Sequence, residues 1–274
     1  MLNIMPKLDE FQTFENKGFT KYINDKIEIQ LVSNDFIECF NNSVKVIEQL
    51  PNLKYVTLHL PVRFVDIGFI CCCRSHEIQF IKLIVECIKY TSNKDLKIDI
   101  LFHARMPYSQ FEDANAFEFL DYIISLVQGT NVGFIMENSL HDPCINKIES
   151  DVFRKICENY SNPKLALCLD ICHLQSSEYM LDCEIPLPDY IVKNIKNIHF
   201  CMTVDRSGYK NKDETHGVVH TDLEAIKEDL EYLKNKGVNL EKVNLVTEIC
   251  ERNEDYTNRP GMCKELKLLE ELNK

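Results

Sequence analysis

Apolar and polar positions along this chain follow two rhythms. Short apolar runs stop abruptly at a titratable residue, and stretches of helical period lie between them. The sharpest run is Lys164-Leu165-Ala166-Leu167-Cys168-Leu169-Asp170-Ile171-Cys172-His173. It predicts a strand buried on both faces that delivers a carboxylate and then an imidazole where it ends. Towards the N-terminus, residues 2–5 predict a short first strand, followed by a polar, helix-compatible segment over residues 7–17. Residues 26–32 alternate apolar with polar and predict a second strand, after which Ser33 is the expected N-cap of a helix carrying Phe36, Phe40, Val44 and Ile47 on one face.

The pattern then repeats. Residues 55–59 predict a strand ending in His59, with Leu60-Pro61 stopping further pairing. A helix over residues 76–90, striped by Ile81, Ile84, Val85 and Ile88, leads to the strand 96–102 and His103. Phe117, Leu120, Ile123, Ile124 and Val127 mark a helix closed by Gly129, and residues 132–136 run straight into Glu137. Ile148, Val152, Ile156 and Tyr160 stripe the next helix, before the strand that ends in Asp170 and His173. Residues 195–198 precede His199, and a polar loop covers residues 205–220. Thr221-Asp222-Leu223-Glu224 reads as a capping box for a helix with Leu223, Ile226, Leu230 and Leu233 inward and Gly237 past its end. Residues 243–247 deliver Glu248, and residues 260–272 supply a last helix. Eight strands, most of them followed by helices and with no linker between them, predict one (β/α)8 TIM barrel over residues 1–274.

Composition narrows the class. No apolar run is long enough to span a bilayer, and the first residues lack the basic, apolar and small-residue regions of a signal peptide, so a soluble, cytoplasmic protein with no membrane partner is expected. Thirteen cysteines without framework spacing, Cys71-Cys72-Cys73 among them, fit a reducing compartment and no structural disulfides. A formal net charge of −12 repels nucleic acid, which makes a nucleic-acid partner the less favoured one.

Taken singly, a histidine or carboxylate at a strand end is usually a hydrogen-bonded core group, a cap or a rim charge. Six in succession are harder to dismiss. His59, His103, Glu137, Asp170, His199 and Glu248 all fall where apolar strands stop, and closing the barrel gathers them round its axis. Buried carboxylates repel one another, at a cost of several kcal/mol each, unless a cation neutralises them. A divalent metal is the simplest neutraliser, and mixed imidazole and carboxylate donors suit zinc, manganese, iron or cobalt better than calcium or magnesium. Cys168 and Cys172 flank Asp170 and read as packing before they read as ligands. His76, His141 and His220 lie off the strand ends and read as structural or surface residues, and the acidic helix over residues 224–231 as a solvated outer face.

The succession His59, His103, Glu137-Asn138, Asp170-x-x-His173, His199 and Val246-Thr247-Glu248 resembles the xylose isomerase-like barrel superfamily, from the third strand to the eighth. In its isomerase and epimerase branches the resemblance implies that Glu137, Asp170, His199 and Glu248 bind one zinc or manganese ion. It also implies that Glu137 and Glu248 exchange a substrate proton, with a small carbohydrate as partner. His173 is a further expected catalytic residue, and Arg206 is the candidate for holding a substrate hydroxyl or phosphate.

The endonuclease IV branch of apurinic-site endonucleases implies up to three zinc ions, with His59, His103, His173 and His216 as additional ligands. Glu214-Thr215-His216 stands where that branch has Asp-x-His, and an alternative alignment puts Asp213 in the histidine's place. The chain departs from that branch at its opening Gly-Ala-His, at His103-Ala104-Arg105 where the branch has His-Pro-Gly, and at Val218-Val219-His220-Thr221. A proton-transferring sugar enzyme is therefore the expectation. An endonuclease IV-like phosphodiester hydrolase is the alternative, and a metal-stabilised, non-catalytic binding module a third.

Overall fold

The structure, a computed structural model, describes residues 1–12, 14, 18–61, 64, 66–103, 113–138, 162–202, 218–249 and 260–274. Eight parallel strands follow one another round a closed barrel: β1 (Asn3–Asp9), β2 (Lys26–Gln30), β3 (Tyr55–His59), β4 (Lys97–His103), β5 (Val132–Glu137), β6 (Leu165–Asp170), β7 (Ile195–Phe200) and β8 (Asn244–Thr247). Between and after them lie α1 (Phe36–Glu48), α2 (Ile67–Cys72), α3 (Arg74–Thr91), α4 (Asp113–Leu126), α5 (Ile171–Leu181), α6 (Asp189–Val192), α7 (Leu223–Asn235) and α8 (Pro260–Leu272). The helix expected over residues 148–160 lies outside the described residues. This is the (β/α)8 barrel that the strand and helix rhythm predicts. None of the described helices is long and apolar enough to cross a membrane.

The strands divide their side chains by alternation. Ile27, Ile29, Val56, Leu58, Ile98, Ile100, Phe134, Leu169, Ile198 and Leu245 are buried in one continuous core that includes the apolar faces of the helices. The opposite phase of the strands faces the barrel interior, where the apolar residues form only small groups, Met5 with Tyr55 and Val246, and Leu101 with Ile135 and Cys168. The rest of the interior is polar. Near the N-terminal ends of the strands, Lys26 donates to Asn244, Asn244 to Asn197, Asn197 to Thr57, Thr57 to the Tyr55 hydroxyl and Tyr55 to Asp99, over 2.9 to 3.1 Å. Lys196 closes the chain on Asp99. A Cβ at Gly133 would stand 2.6 Å from Asp99 Oδ1, so a larger residue there would have to displace that carboxylate.

Several local expectations are corrected. Residues 7–9 do not start a helix: Lys7, Leu8 and Asp9 continue β1, paired in register with Glu28, Ile29 and Gln30. The N-cap of α1 is Asp35, which accepts from the amides of Ile37 and Glu38, whereas Ser33 bonds to Glu10. Asp222, one residue beyond the expected Thr221, caps α7 by accepting from Glu224 and Ala225. In α3 the buried face is Phe80, Leu83, Ile84 and Cys87, while Val85 is exposed. The acidic outer face of α7 is interrupted by Asp229, which is drawn inward by His220.

His220 is fully buried and stacks on Phe200, the residue after His199, with ring centroids 4.8 Å apart. Its Nδ1 lies 2.6 Å from Glu265 Oε1 on α8, its Nε2 lies 3.0 Å from Asp229 Oδ2 on α7, and its backbone N–H donates to Glu265 Oε2. Gln175 of α5 donates to the other oxygen of Asp229. Burial opposes a charge on the ring, but Asp229 and Glu265 overcome it and raise His220 to about 9. The folded state thus holds this proton more tightly than the unfolded chain, where histidine titrates near 6.5. The stabilisation is fully present below that value and is lost as pH rises through about 9, a loss of about 3 kcal/mol. The gap in urea unfolding free energy between wild type and His220→Gln should accordingly narrow between about pH 6 and pH 10. A gap that does not vary with pH would show that the ring is held neutral.

Candidate metal centre at the mouth of the barrel

The strand ends bring the expected residues together. His59, His103, Glu137 and Asp170 are the last residues of β3 to β6, His199 is the penultimate residue of β7, and Glu248 follows β8 directly. Register sets them side by side: His103 pairs with Glu137, and Asp170 with His199. His103 is partly exposed and the other five are buried, at 0% for Asp170 and His199, 1% for Glu137 and 9% for Glu248.

His199 is the hub. Its Nδ1 lies 2.6 Å from Glu248 Oε2, 3.1 Å from Glu137 Oε1 and 3.9 Å from Asp170 Oδ2. One donor atom from each of these four residues falls within 4.8 Å of all the others. A second set shares Glu137: the Nε2 atoms of His59 and His103 lie 3.4 and 3.3 Å from its Oε2, and these three residues also offer mutually close donor atoms. Cys168, one layer below, completes a third set with Glu137 and His199, but burial pushes its thiol up to about 12, consistent with a neutral packing residue.

Backbone groups fix which atoms face this centre. His59 Nδ1 lies 2.8 Å from the Leu60 carbonyl, so that nitrogen carries the proton and Nε2 is left as the lone-pair donor. Asp170 is the N-cap of α5: its Oδ1 accepts from the His173 amide at 2.7 Å, which leaves Oδ2 for the centre. Asn138 clamps the same corner, its side chain accepting from the Asp170 amide at 2.7 Å and donating to the Asp170 carbonyl at 3.2 Å. The carbonyl of Asn138 lies 3.0 Å from His173 Nδ1, so His173 stands beside the cluster with that nitrogen committed. Arg206 and His216, with Asp213 and Glu214, lie outside the described residues.

Two buried residues were not expected here. Glu28 of β2 and Lys7 of β1 extend the cluster into the barrel: Lys7 Nζ lies 2.5 Å from Glu248 Oε1 and 3.1 Å from Glu28 Oε1, and Glu28 Oε1 lies 3.0 Å from His199 Nε2. Four buried carboxylates, Glu28, Glu137, Asp170 and Glu248, therefore face one buried ammonium, an excess of three negative charges while the histidines are neutral. The electrostatics follow. Burial alone would raise Glu137 and Glu248, but His199 beside both, with His103 near Glu137 and Lys7 near Glu248, holds them well below the ordinary carboxylate range. Burial likewise opposes charging His199, yet the carboxylates of Glu137, Glu248 and Glu28 drive it well above ordinary histidine. His59 moves the other way, lowered by burial and by Lys7.

The donor set fits a divalent ion. Glu137 Oε2, Asp170 Oδ2 and Glu248 Oε2 are buried and have no hydrogen-bond partner among the described residues. The 2.6 Å approach of Glu248 Oε2 to His199 is thus a contact without hydrogen-bond geometry. Two ligands about 2.1 Å from a tetrahedral ion lie about 3.4 Å apart, and the separations around His199 Nδ1 bracket that value.

No family model and no curated protein matches the sequence. Solved structures match over nearly the whole chain. A D-tagatose 3-epimerase-like protein superposes with a TM-score of 0.59 at 14% identity, covering 99% of this chain and 96% of that one. The 3-keto-D-glucoside 4-epimerase of E. coli gives 0.56 at 15% identity, covering 100% and 99%. A xylose isomerase domain protein from Planctomyces limnophilus gives 0.61 at 10% identity, covering 100% and 97%. The chain has the xylose isomerase-like TIM-barrel fold.

Removing divalent ions with a chelator should lower the unfolding temperature. Adding back zinc or manganese at about 100 times its Kd should restore about 2.7 kcal/mol. A protein whose melting ignores both treatments would contradict a metal at this centre.

Proposed function

We propose that this protein is a divalent-metal-dependent isomerase or epimerase that moves a proton on a sugar or a related hydroxy-carbonyl compound. The observation that carries this reading is the convergence of Glu137 Oε1, Glu248 Oε2 and Asp170 Oδ2 on one nitrogen of a buried imidazole, the oxygens of Asp170 and Glu248 having no hydrogen-bond partner among the described residues. Glu137, Asp170, His199 and Glu248 would hold the ion, zinc or manganese by the chemistry of the donors. When bound, a divalent cation polarises the carbonyl and neighbouring hydroxyl of a substrate and so acidifies the C–H between them.

The proton work falls to the two glutamates. β5 and β8 lie three strands apart in the ring, so their carboxylates reach the mouth from different sides. One, ionised, takes the proton from carbon, and the other, protonated, returns one. Return to the opposite face of the same carbon gives epimerisation, and return to the adjacent carbon gives isomerisation. His173, beside the cluster, is the further candidate catalytic residue, and Arg206 the candidate for holding a substrate hydroxyl or phosphate. That sugar epimerases share the fold supports a carbohydrate substrate.

In deuterated water, metal-loaded wild type should exchange the hydrogen beside the carbonyl of a ketohexose. Glu248→Gln should slow that exchange by about 10²–10⁴-fold. Exchange that Glu248→Gln leaves undiminished would sink the assignment.

The second donor set, His59 and His103 sharing Glu137, favours one other reading, an endonuclease IV-like phosphodiester hydrolase. Its signature would be two or three metal ions per chain and metal-dependent cleavage of abasic-site DNA that falls with His103→Ala. A metal-loaded preparation that leaves abasic DNA intact would remove it. Metal binding with neither exchange nor cleavage would mark a binding module.

A further inference from the structure

Lys7 and Glu28 complete a closed ring of contacts with the two residues at the heart of the centre. Glu248 Oε1 meets Lys7, Lys7 meets Glu28 Oε1, Glu28 Oε1 meets His199 Nε2, and His199 Nδ1 returns to Glu248 Oε2, at separations of 2.5, 3.1, 3.0 and 2.6 Å. Strand register builds this ring: Lys7 pairs with Glu28, and the pairing of Pro6 with Thr247 sets Lys7 alongside Glu248. Glu28 and His199 are fully buried, Lys7 is 4% exposed and Glu248, nearest the mouth, 9%, so the ring is largely shielded from solvent. Each half of the ring leaves one atom facing the mouth. Lys7 donates to one oxygen of Glu248 and leaves Oε2, while the Glu28 carboxylate lies against Nε2 of His199 in charge contact, without hydrogen-bond geometry, and turns Nδ1 to the side of Glu137 and Glu248.

We propose that Lys7 and Glu28 are positioning residues for the candidate metal centre: Lys7 holds Glu248 to a single donor oxygen, and Glu28 sets His199 to present Nδ1. A carboxylate facing the outer nitrogen of a ligating histidine fixes the ring's orientation and tautomer, and losing such a partner costs about 10–100-fold in metal affinity. The ammonium has a second consequence. A glutamate whose far oxygen is engaged by an ammonium does not swing to bind the ion through both oxygens. The inference rests on the metal-dependent reading above.

The test uses the full chain, cobalt(II) as the probe, and the variants Glu28→Ala, Glu28→Gln, Lys7→Met and the double Lys7→Met/Glu28→Gln. The double variant removes both charges at once and avoids leaving either one buried alone. Cobalt affinity is read by competition with a chromophoric chelator, coordination by the visible spectrum, and stability by melting of the metal-free protein. Glu28→Ala should weaken cobalt binding about 10–100-fold, and Glu28→Gln, which keeps an acceptor oxygen, should recover much of the loss. Lys7→Met should alter the cobalt spectrum towards higher coordination, as Glu248 gains its second oxygen. Variants that change only the melting temperature, with affinity and spectrum as in wild type, would reduce the pair to a structural role and overturn the inference alone. Wild type that binds no cobalt would overturn the metal reading itself, and this inference with it.

Discussion

The mouth of this barrel is governed by charge balance. Four carboxylates, from β2, β5, β6 and the end of β8, are buried within contact distance of one histidine or its neighbours, and one lysine opposes them. Desolvated charges of one sign do not gather without compensation, because each would cost several kcal/mol. In the protein alone the compensation comes from His199, driven towards its charged form, and from Lys7. A divalent cation would do the same with the ring neutral. The protonated hub and the metal-loaded hub are thus two solutions to one electrostatic constraint, and they compete for the same Nδ1.

The remaining features of the site serve to aim atoms at that point. Main-chain groups at the strand ends take one atom from three of these side chains: the Leu60 carbonyl takes His59 Nδ1, the His173 amide takes Asp170 Oδ1 and the Asn138 carbonyl takes His173 Nδ1. Asn138 in turn ties β5 to β6 through the Asp170 backbone. This geometry is a product of strand termination. Where a parallel strand stops, its last carbonyls and the first amides of the next helix have no ladder partner, and they become the fixed points against which side chains are oriented.

The fold and the outer ring of site residues were legible because they coincide with edges in the pattern. His59, His103, Glu137 and Asp170 each end an apolar run, and an edge of that kind survives an error of a residue in the strand boundary. Lys7 and Glu28 mark no edge. Lys7 falls beyond the short strand expected over residues 2–5, at the start of the segment that read as helix-compatible, yet β1 runs on to Asp9. Glu28 sits in the alternation of residues 26–30, whose polar phase is ordinarily the solvent phase of a half-buried strand. In a barrel sheathed by helices, the apolar phase must face outward to meet them, so the polar phase turns to the axis. Only closure of the sheet decides that, and closure is a long-range fact. The caps at Asp35 and Asp222 were missed by a residue or two for a smaller reason, since neighbouring serine, threonine and aspartate carry the same local signal.

An interior that is polar from base to mouth also shows why polarity alone does not mark a site. At the base, Lys26, Asn244, Asn197, Thr57, Tyr55, Asp99 and Lys196 form a chain in which each group has a partner, and none of their side-chain atoms is left buried and unpaired. Such a network stabilises and specifies the barrel and asks nothing of a ligand. At the mouth, by contrast, Glu137, Asp170 and Glu248 each keep a buried oxygen without a hydrogen bond among the described residues. Leaving such atoms unpaired is costly in a folded protein. The unsatisfied donors converge where the strands of the barrel end, and that difference between a closed network and an open one separates structural polarity from functional polarity here.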